Sequence, residues 1–282
     1  MLGVHVTKDS KVLENRKEAS TMEDAIIRDI DTLGLNSAQI FTHGPRFIVK
    51  NKVNYEAVKK VVSNINLSVH SPYPMVAALK MASEKSDYIA KFTEQAVACK
   101  NCGAWGIVIH ISKIASEIIA ASMKLLMPIA KKYGIKIIIE MIATRPSINT
   151  YESPEKINKV TKLIGKGPWG WCIDTAHIWA AGINVKSYEN MSAWLKKIEE
   201  PGKIVMFHLN GSSADMGNGK DKHEIAFGPD DKIWKNIEPN VSGVKAIAEF
   251  SLKYHVVIIC EINRGSEKNV VASLNIIKDM LM

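Results

Sequence analysis

Eight short apolar runs, each followed by a longer segment of helical periodicity, constrain this chain more than any other feature. The runs are Leu2–Val6, Ser37–Thr42, Asn66–His70, Gly106–His110, Ile135–Glu140, Trp169–Asp174, Lys203–Asn210 and His255–Glu261. Strands that alternate with helices pair in parallel through βαβ units. Runs such as Ile135-Lys136-Ile137-Ile138-Ile139 are almost continuously apolar, as a sheet covered on both faces requires. Eight such units in 282 residues match one (β/α)8 TIM barrel, so the expected class is α/β, with residues 1–282 forming a single domain. A doubly wound open sheet is the alternative. It calls for a Gly-rich phosphate loop after the first strand, where this chain has Val4-His5-Val6-Thr7-Lys8.

Local punctuation supports the helical segments. Thr21-Met22-Glu23-Asp24 has the spacing of a capping box, and Gly34 stands where a C-terminal cap belongs. Ser153-Pro154 places a capping hydroxyl before a first-turn proline, with Gly165 closing that helix. Gly103 and Gly134 end two more, and Ser266 is the expected cap of the last helix, with Val270, Leu274, Ile277 and Leu281 at helical spacing.

A hydrophobic content of 46% supplies a core, yet no apolar stretch is long enough to span a bilayer. The start, Met1-Leu2-Gly3-Val4-His5, reads directly into a strand rather than a charged-then-apolar leader, so an intracellular, unsecreted protein without membrane contact is expected, and separately a monomer. The four cysteines do not form a disulfide framework; Cys99-Lys100-Asn101-Cys102 falls late in a helical pattern with no second CxxC, and is read as buried packing. The formal net charge of +8 favours a polyanionic substrate, although charge alone is a weak pointer.

Chemistry enters where the strands end. His70, His110, Glu140, Asp174, His208 and Glu261 stand at or near the ends of six strands, which in a barrel converge on the face that carries active sites. His177 follows Asp174 by three residues, and Asp221-Lys222-His223 lies in the long loop after the seventh strand. Any single strand-end histidine is more readily a satisfied loop residue than a ligand. Five of the eight histidines in such positions, together with two Asp and two Glu, point instead to a cluster of two or three metal ions. Imidazole mixed with carboxylate suits zinc, with manganese or iron as substitutes. Of the other histidines, His255 is read as structural at the start of a strand, His43 as lying in a loop that could face the bowl, and His5 as a group orienting a ligand.

The motifs that carry these residues resemble the endonuclease IV family of apurinic/apyrimidinic (AP) endonucleases, zinc-dependent DNA repair enzymes. They are Gly3-Val4-His5-Val6, Gln39-Ile40-Phe41-Thr42-His43-Gly44-Pro45-Arg46, His70-Ser71-Pro72-Tyr73, Cys172-Ile173-Asp174-Thr175-Ala176-His177, Phe207-His208-Leu209-Asn210 and Gly219-Lys220-Asp221-Lys222-His223-Glu224. The resemblance implies three zinc ions: one on His70, His110 and Glu140, a second bridged by Glu140 and completed by Asp174, His208 and Glu261, and a third on His177, Asp221 and His223. It implies hydrolysis 5′ to an abasic site in double-stranded DNA by hydroxide generated at the metals, leaving a 3′-hydroxyl and a 5′-deoxyribose phosphate. Trimming of 3′ ends, as diesterase or 3′→5′ exonuclease, falls within the same implication. Arg46 and Tyr73 match residues of loops that enter the DNA at the lesion, and Lys222 is a candidate phosphate contact, with Lys80, Lys113 and Lys220 as weaker ones.

The loops depart from the family's usual pattern. Thr7-Lys8-Asp9-Ser10 replaces a Ser/Gly-rich stretch, Ile111-Ser112 replaces Pro-Gly, Met141-Ile142-Ala143-Thr144-Arg145 replaces a Gly-containing loop, and Pro74 stands where an apolar wedge is common. Gly211 and Ser213 replace an Asp and a Lys. Two other readings compete: a metal-dependent sugar isomerase or epimerase of the same architecture, and a zinc protein that binds damaged DNA without cutting it. A sugar site needs about four ligands and leaves His177, Asp221 and His223 without a role.

Overall fold

In the computed structural model, which describes residues 1–8, 19–45, 53–75, 79–80, 87–261 and 267–282, eight parallel strands close into a barrel. They are β1 (Leu2–His5), β2 (Ser37–Phe41), β3 (Asn66–His70), β4 (Gly106–Ile111), β5 (Lys136–Met141), β6 (Trp169–Asp174), β7 (Ile204–His208) and β10 (Val257–Cys260). Between β7 and β10 a two-stranded antiparallel ribbon, β8 (Gly211–Ser212) and β9 (His223–Glu224), lies outside the barrel sheet. The first strand pairs with both β2 and β10, which closes the ring.

Helices pack outside: α1 (Met22–Leu33), α2 (Tyr55–Val61), α3 (Asp87–Asn101), α4 (Ser116–Tyr133), α5 (Pro154–Ile164), α6 (Thr175–Ala180), α7 (Tyr188–Lys196), α8 (Gly243–Tyr254) and α9 (Glu267–Met280). Thr21 caps α1 by accepting from the Asp24 amide at 3.2 Å, and Gly34 and Gly134 close α1 and α4 in the left-handed conformation. Ser153 occupies the cap position of α5 with an extended backbone, but its hydroxyl bonds to no helix amide; Pro154 removes one donor from that turn. His255 does not begin the last barrel strand. It closes α8 at φ 57°, and the strand starts two residues later at Val257. The expected cap Ser266 lies outside the described residues.

The barrel interior and its outer layer are separate. Val108, Ile138, Cys172, Met206, Val257 and Ile259 form a cluster inside the ring, distinct from the larger core between strands and helices. There is no room to spare in it: a Cβ on Gly106 would lie 2.8 Å from Ile138 Cδ1. Cys99 and Cys102 are buried in the outer layer, their thiols donating to the carbonyls of Gly106 and Ala98, as packing residues do. Among the described residues no helix is long and apolar enough to cross a membrane.

The long connection from β7 to α8 is pinned by one buried carboxylate. Asp231 accepts from four backbone amides, those of Ser212 (3.1 Å), Phe227 (2.9 Å), Ile233 (2.8 Å) and Trp234 (3.1 Å). Gly211 is required beside it, since a Cβ there would stand 2.5 Å from the Asp231 carboxyl carbon. Asp231→Ala leaves several buried amides unpaired and is expected to lower the unfolding free energy by roughly 2–4 kcal/mol. Urea denaturation of the metal-free protein reads this; a loss within about 0.5 kcal/mol, as for an ordinary surface change, would contradict it.

Candidate metal centre

Side chains alternate along a strand with a period of two, so the residue two beyond an inward-facing one also faces inward. Two residues beyond Val108, Ile138, Cys172, Met206 and Ile259 stand His110, Glu140, Asp174, His208 and Glu261. The centre is therefore the next layer of the barrel interior, where apolar filling gives way to imidazole and carboxylate. His70, at the end of β3, joins them, with His110 and Glu140 aligned across β4 and β5. His177 comes from α6, which begins at Thr175 directly after Asp174; the Asp174 carboxylate caps it by accepting from the His177 amide at 3.0 Å. Asp221 and His223 arrive on the β8–β9 ribbon that Asp231 pins.

All nine anticipated donors meet in one bowl. Glu140 is wholly buried; its Oε2 lies 3.4 Å from His70 Nε2 and 3.1 Å from His110 Nε2, and its Oε1 lies 2.9 Å from His208 Nδ1. Glu261 Oε2 is 3.5 Å from both His208 Nδ1 and His223 Nδ1. On the other side His177 Nε2 and His223 Nε2 are 3.3 Å apart, with Asp221 Oδ1 at 2.9 Å from His223 and 3.6 Å from His177. Donor atoms within 4.8 Å of one another fall into the sets His70, His110, Glu140; Glu140, Asp174, His208, Glu261; and Asp174, His177, His223. The first two are the groupings the resemblance implies. The third brings Asp174 beside the histidines, with the more exposed Asp221 at its rim. Cys172 also comes close to Glu140 and His208, but burial pushes its thiol up to about 12, where it stays protonated.

These donors fit a metal because their lone pairs face one another. His70 Nδ1 is 2.7 Å from the Ser71 carbonyl and His177 Nδ1 is 2.6 Å from the Met141 carbonyl. A carbonyl only accepts, so both Nδ1 atoms carry the proton and both Nε2 atoms turn a lone pair toward carboxylate oxygen. Glu140 Oε2 is fully buried and, among the described residues, accepts no well-formed hydrogen bond, although His110 Nε2 stands 3.1 Å away. Acceptors confronting acceptors away from water are unfavourable unless a cation lies between them. The field of the carboxylates draws positive charge into the same place, as a proton on the imidazoles wherever no ion is held between them. Burial opposes charge on His177 and His223, yet Asp174, Asp221 and neighbouring carboxylates outweigh it, pushing them up to about 10 and about 9. Burial works against ionised Glu140 too, but His208 and His110 hold it well below the usual carboxylate range. Asp174 goes the other way, raised by burial against the pull of His177 and His223.

Tyr73 stands at the mouth with its ring half exposed, stacked on His110 at 5.2 Å and 27° and edge-on to His70 at 5.9 Å. Burial and the carboxylates Glu261, Asp221 and Glu140 push its phenol up to about 12, so it remains a donor. Together with His5, Thr7, Phe41, Asp221, His223 and Glu261 it lines a cavity of about 220 Å³. Lys222 and Lys220 are exposed on the ribbon, flanking Asp221, and Lys80 and Lys113 are exposed elsewhere. Arg46 lies outside the described residues.

His43 does not face the bowl. It is buried and lines a separate cavity with Tyr55 of α2 and Thr93, Glu94, Val97, Ala98 and Asn101 of α3. His5 does face it, 3.5 Å from Glu261 through Nδ1. Two residues without an anticipated role prove central. Asn210 donates to Asp174 Oδ2 at 2.8 Å and accepts from the Glu261 amide at 2.9 Å, tying two carboxylates together. Gln39 reaches across the mouth to His208, Glu261 and His5. The signal for Gln39 was available: a polar residue on the inward phase of an apolar strand.

A closed parallel (β/α)8 barrel with an imidazole–carboxylate cluster at the C-terminal ends of its strands is the class that fold and site define. Residues 27–280 match the family model described as a xylose isomerase-like TIM barrel. A probable AP endonuclease of African swine fever virus (isolate Tick/Malawi/Lil 20-1/1983) is 31% identical over 253 residues, covering 84% of this chain and 82% of the viral one. The crystal structure of AsfvAP:AG superposes with a TM-score of 0.85 at 26% identity, over 100% of this chain and 99% of that one. Endonuclease IV from Thermus thermophilus shares the fold, with a TM-score of 0.71 at 17% identity over 99% and 98% of the two chains. The chain belongs to the xylose isomerase-like TIM-barrel family and, within it, to the endonuclease IV family of AP endonucleases.

Proposed function

We propose that this protein is a zinc-dependent DNA repair endonuclease. It hydrolyses the phosphodiester 5′ to abasic sites in double-stranded DNA, leaving a 3′-hydroxyl and a 5′-deoxyribose phosphate. Diesterase and 3′→5′ exonuclease activity on 3′ ends would use the same centre. The observation that carries this reading is the third donor set. His177 and His223, with Asp174 beside them and Asp221 at the rim, adjoin two sets that would already suffice for a sugar isomerase. Relatives named as AP endonuclease and endonuclease 4 support the same choice.

When bound, the ions supply Lewis acidity that ionises water near neutral pH and neutralises phosphate charge. Everything else falls to side chains. Glu140 presents one oxygen to His70 and His110 and the other to His208, so it serves two sets at once. Asn210 and Gln39 hold the carboxylates and His208 in place, so that little reorganisation is needed as charge develops. An abasic nucleotide leaves the helix at less cost than an intact one, having no base to unstack. The cavity of about 220 Å³ beside the donors is small against typical ligand pockets of ~300–1,000 Å³, which favours a sugar phosphate without its base. Tyr73 offers an exposed ring edge and a phenol donor at that mouth, by the resemblance Arg46 would enter the DNA at the lesion, and Lys222 would meet phosphate.

A duplex carrying one tetrahydrofuran abasic analogue tests the reading, because the analogue lacks the aldehyde that a β-elimination lyase needs. One incision 5′ to the lesion, lost on metal stripping and restored by zinc, is expected. No incision by fully metallated protein would direct the search to sugar substrates or to binding without cleavage. Metal analysis of the reloaded protein is expected to give close to three zinc ions per chain; one or two would favour the isomerase reading. Glu140→Gln is expected to lose turnover while still retaining abasic duplex in a gel-shift assay, and near-normal turnover would sink the bridging role.

A further inference from the structure

The side-chain amide of Gln39 touches three members of the centre. Its Nε2 lies 3.0 Å from His5 Nδ1 and 3.1 Å from Glu261 Oε1, and its Oε1 lies 3.1 Å from His208 Nε2. The orientation of this amide is forced. Ionised Glu261 can only accept, so the NH2 group must face it and the carbonyl must face His208. A carbonyl also only accepts, so His208 Nε2 carries a hydrogen. The nitrogen left with a lone pair is Nδ1, which stands 2.9 Å from Glu140 Oε1, 3.5 Å from Glu261 Oε2 and 3.8 Å from Asp174 Oδ2. The second hydrogen of the amide goes to His5 Nδ1, which must then be the acceptor. The His5 proton is thereby placed on Nε2, a buried atom without a hydrogen-bond partner among the described residues, on a residue that lines the cavity beside the donors.

His208 is thus the reverse of His70 and His177. Those two have Nδ1–H held by backbone carbonyls and turn Nε2 to the carboxylates. His208 turns Nδ1 instead, and its Nε2–H goes to a side chain from the far side of the mouth, 169 residues away in sequence. We propose that Gln39 is a positioning residue that decides which nitrogen His208 offers to the second metal set, without itself meeting an ion or the substrate. The inference rests on the metal half of the proposed function and is independent of its DNA half. Only a residue of this length, with an acceptor and a two-hydrogen donor at its tip, satisfies His208, Glu261 and His5 together. Methionine has the reach but neither group; asparagine has both but falls one methylene short.

The test compares wild type with Gln39→Met in the intact protein. Zinc affinity is titrated against a chromophoric chelator, the thermal midpoints of the metal-free proteins serve as the control for folding, and histidine 15N–1H correlations of the zinc-loaded proteins report which nitrogen is metallated. Loss of a group that orients a ligand typically costs 10–100-fold in metal affinity. One ion is therefore expected to bind roughly 10–100-fold more weakly, the others as in wild type, with equal metal-free midpoints. The wild-type spectrum is expected to show His208 metallated at Nδ1 and protonated at Nε2, a pattern weakened in the variant. Should Gln39→Met lower the metal-free midpoint, Gln39→Asn supplies the same comparison with polarity kept. Unchanged affinity for every ion in a folded variant, or a wild-type His208 bound through Nε2, overturns the proposal. None of these measurements involves DNA. A loaded protein that fails to incise abasic duplex would remove the nuclease reading and leave this one intact.

Discussion

A carboxylate with no access to water dictates the arrangement of this barrel mouth. Glu140 is fully buried, and among the described residues one of its oxygens accepts no well-formed hydrogen bond. An ionised carboxyl in that position is costly unless cations or strong donors surround it. Four imidazoles do so, His70 and His110 at one oxygen and His208 and His177 at the other. Because two of those rings have their proton tied up elsewhere or face another acceptor, the arrangement is satisfied by positive charge placed between the groups rather than by hydrogen bonds among them. Asp174, Glu261 and Asp221 extend the same pattern outward, so that the whole mouth is a lattice of acceptors.

Such a lattice has to be held open against its own repulsion, and the fold supplies separate means for its inner and outer parts. The inner donors are carried by strands whose hydrogen-bonded register leaves them no freedom, above an interior filled by Val108, Ile138, Cys172, Met206, Val257 and Ile259. The outer donors are on shorter supports. His177 is on a one-and-a-half-turn helix capped by Asp174 itself, and His223 is on a two-residue strand whose connection is gathered around Asp231. Asn210 links the two parts through Asp174 and Glu261.

Much of this could be read from the chain because barrel geometry converts one-dimensional position into three-dimensional place. A polar residue at the end of a parallel strand reaches the same face as every other such residue, so His70, His110, Glu140, Asp174, His208 and Glu261 could be grouped without knowing a single distance. What position along a strand does not encode is side-chain direction beyond the strand. His5 ends on the inward phase of β1, whereas His43 lies two residues past β2 and turns toward α2 and α3. Gln39 was hidden differently: its inward phase on β2 was legible, but not which side chains from β1, β7 and the end of β10 it would meet. His255 departs from its expected place for a different reason. Its left-handed backbone is usually a glycine's, and a histidine gives no sequence sign of that role. Ser153 shows that the residue type favoured at a cap does not guarantee the cap's hydrogen bond. Arg46 falls outside the described residues, and its place in the grip on DNA rests on the resemblance.

Closure of the barrel joins residues far apart in time as well as in sequence. Leu2 is in register with Ile258 and Val4 with Cys260. On a ribosome, β1 would wait through the synthesis of more than two hundred residues before its second neighbour exists. Until then the last carboxylate, Glu261, is absent from the mouth, and the Gln39 amide has only His5 and then His208 to bond. Pairings of such sequence separation form late, since the entropy of closing the intervening loop must be met first. Donor sets that precede β10 in the chain, such as His70, His110 and Glu140, are present earlier, whereas the set that includes Glu261 becomes complete only when the ring itself shuts.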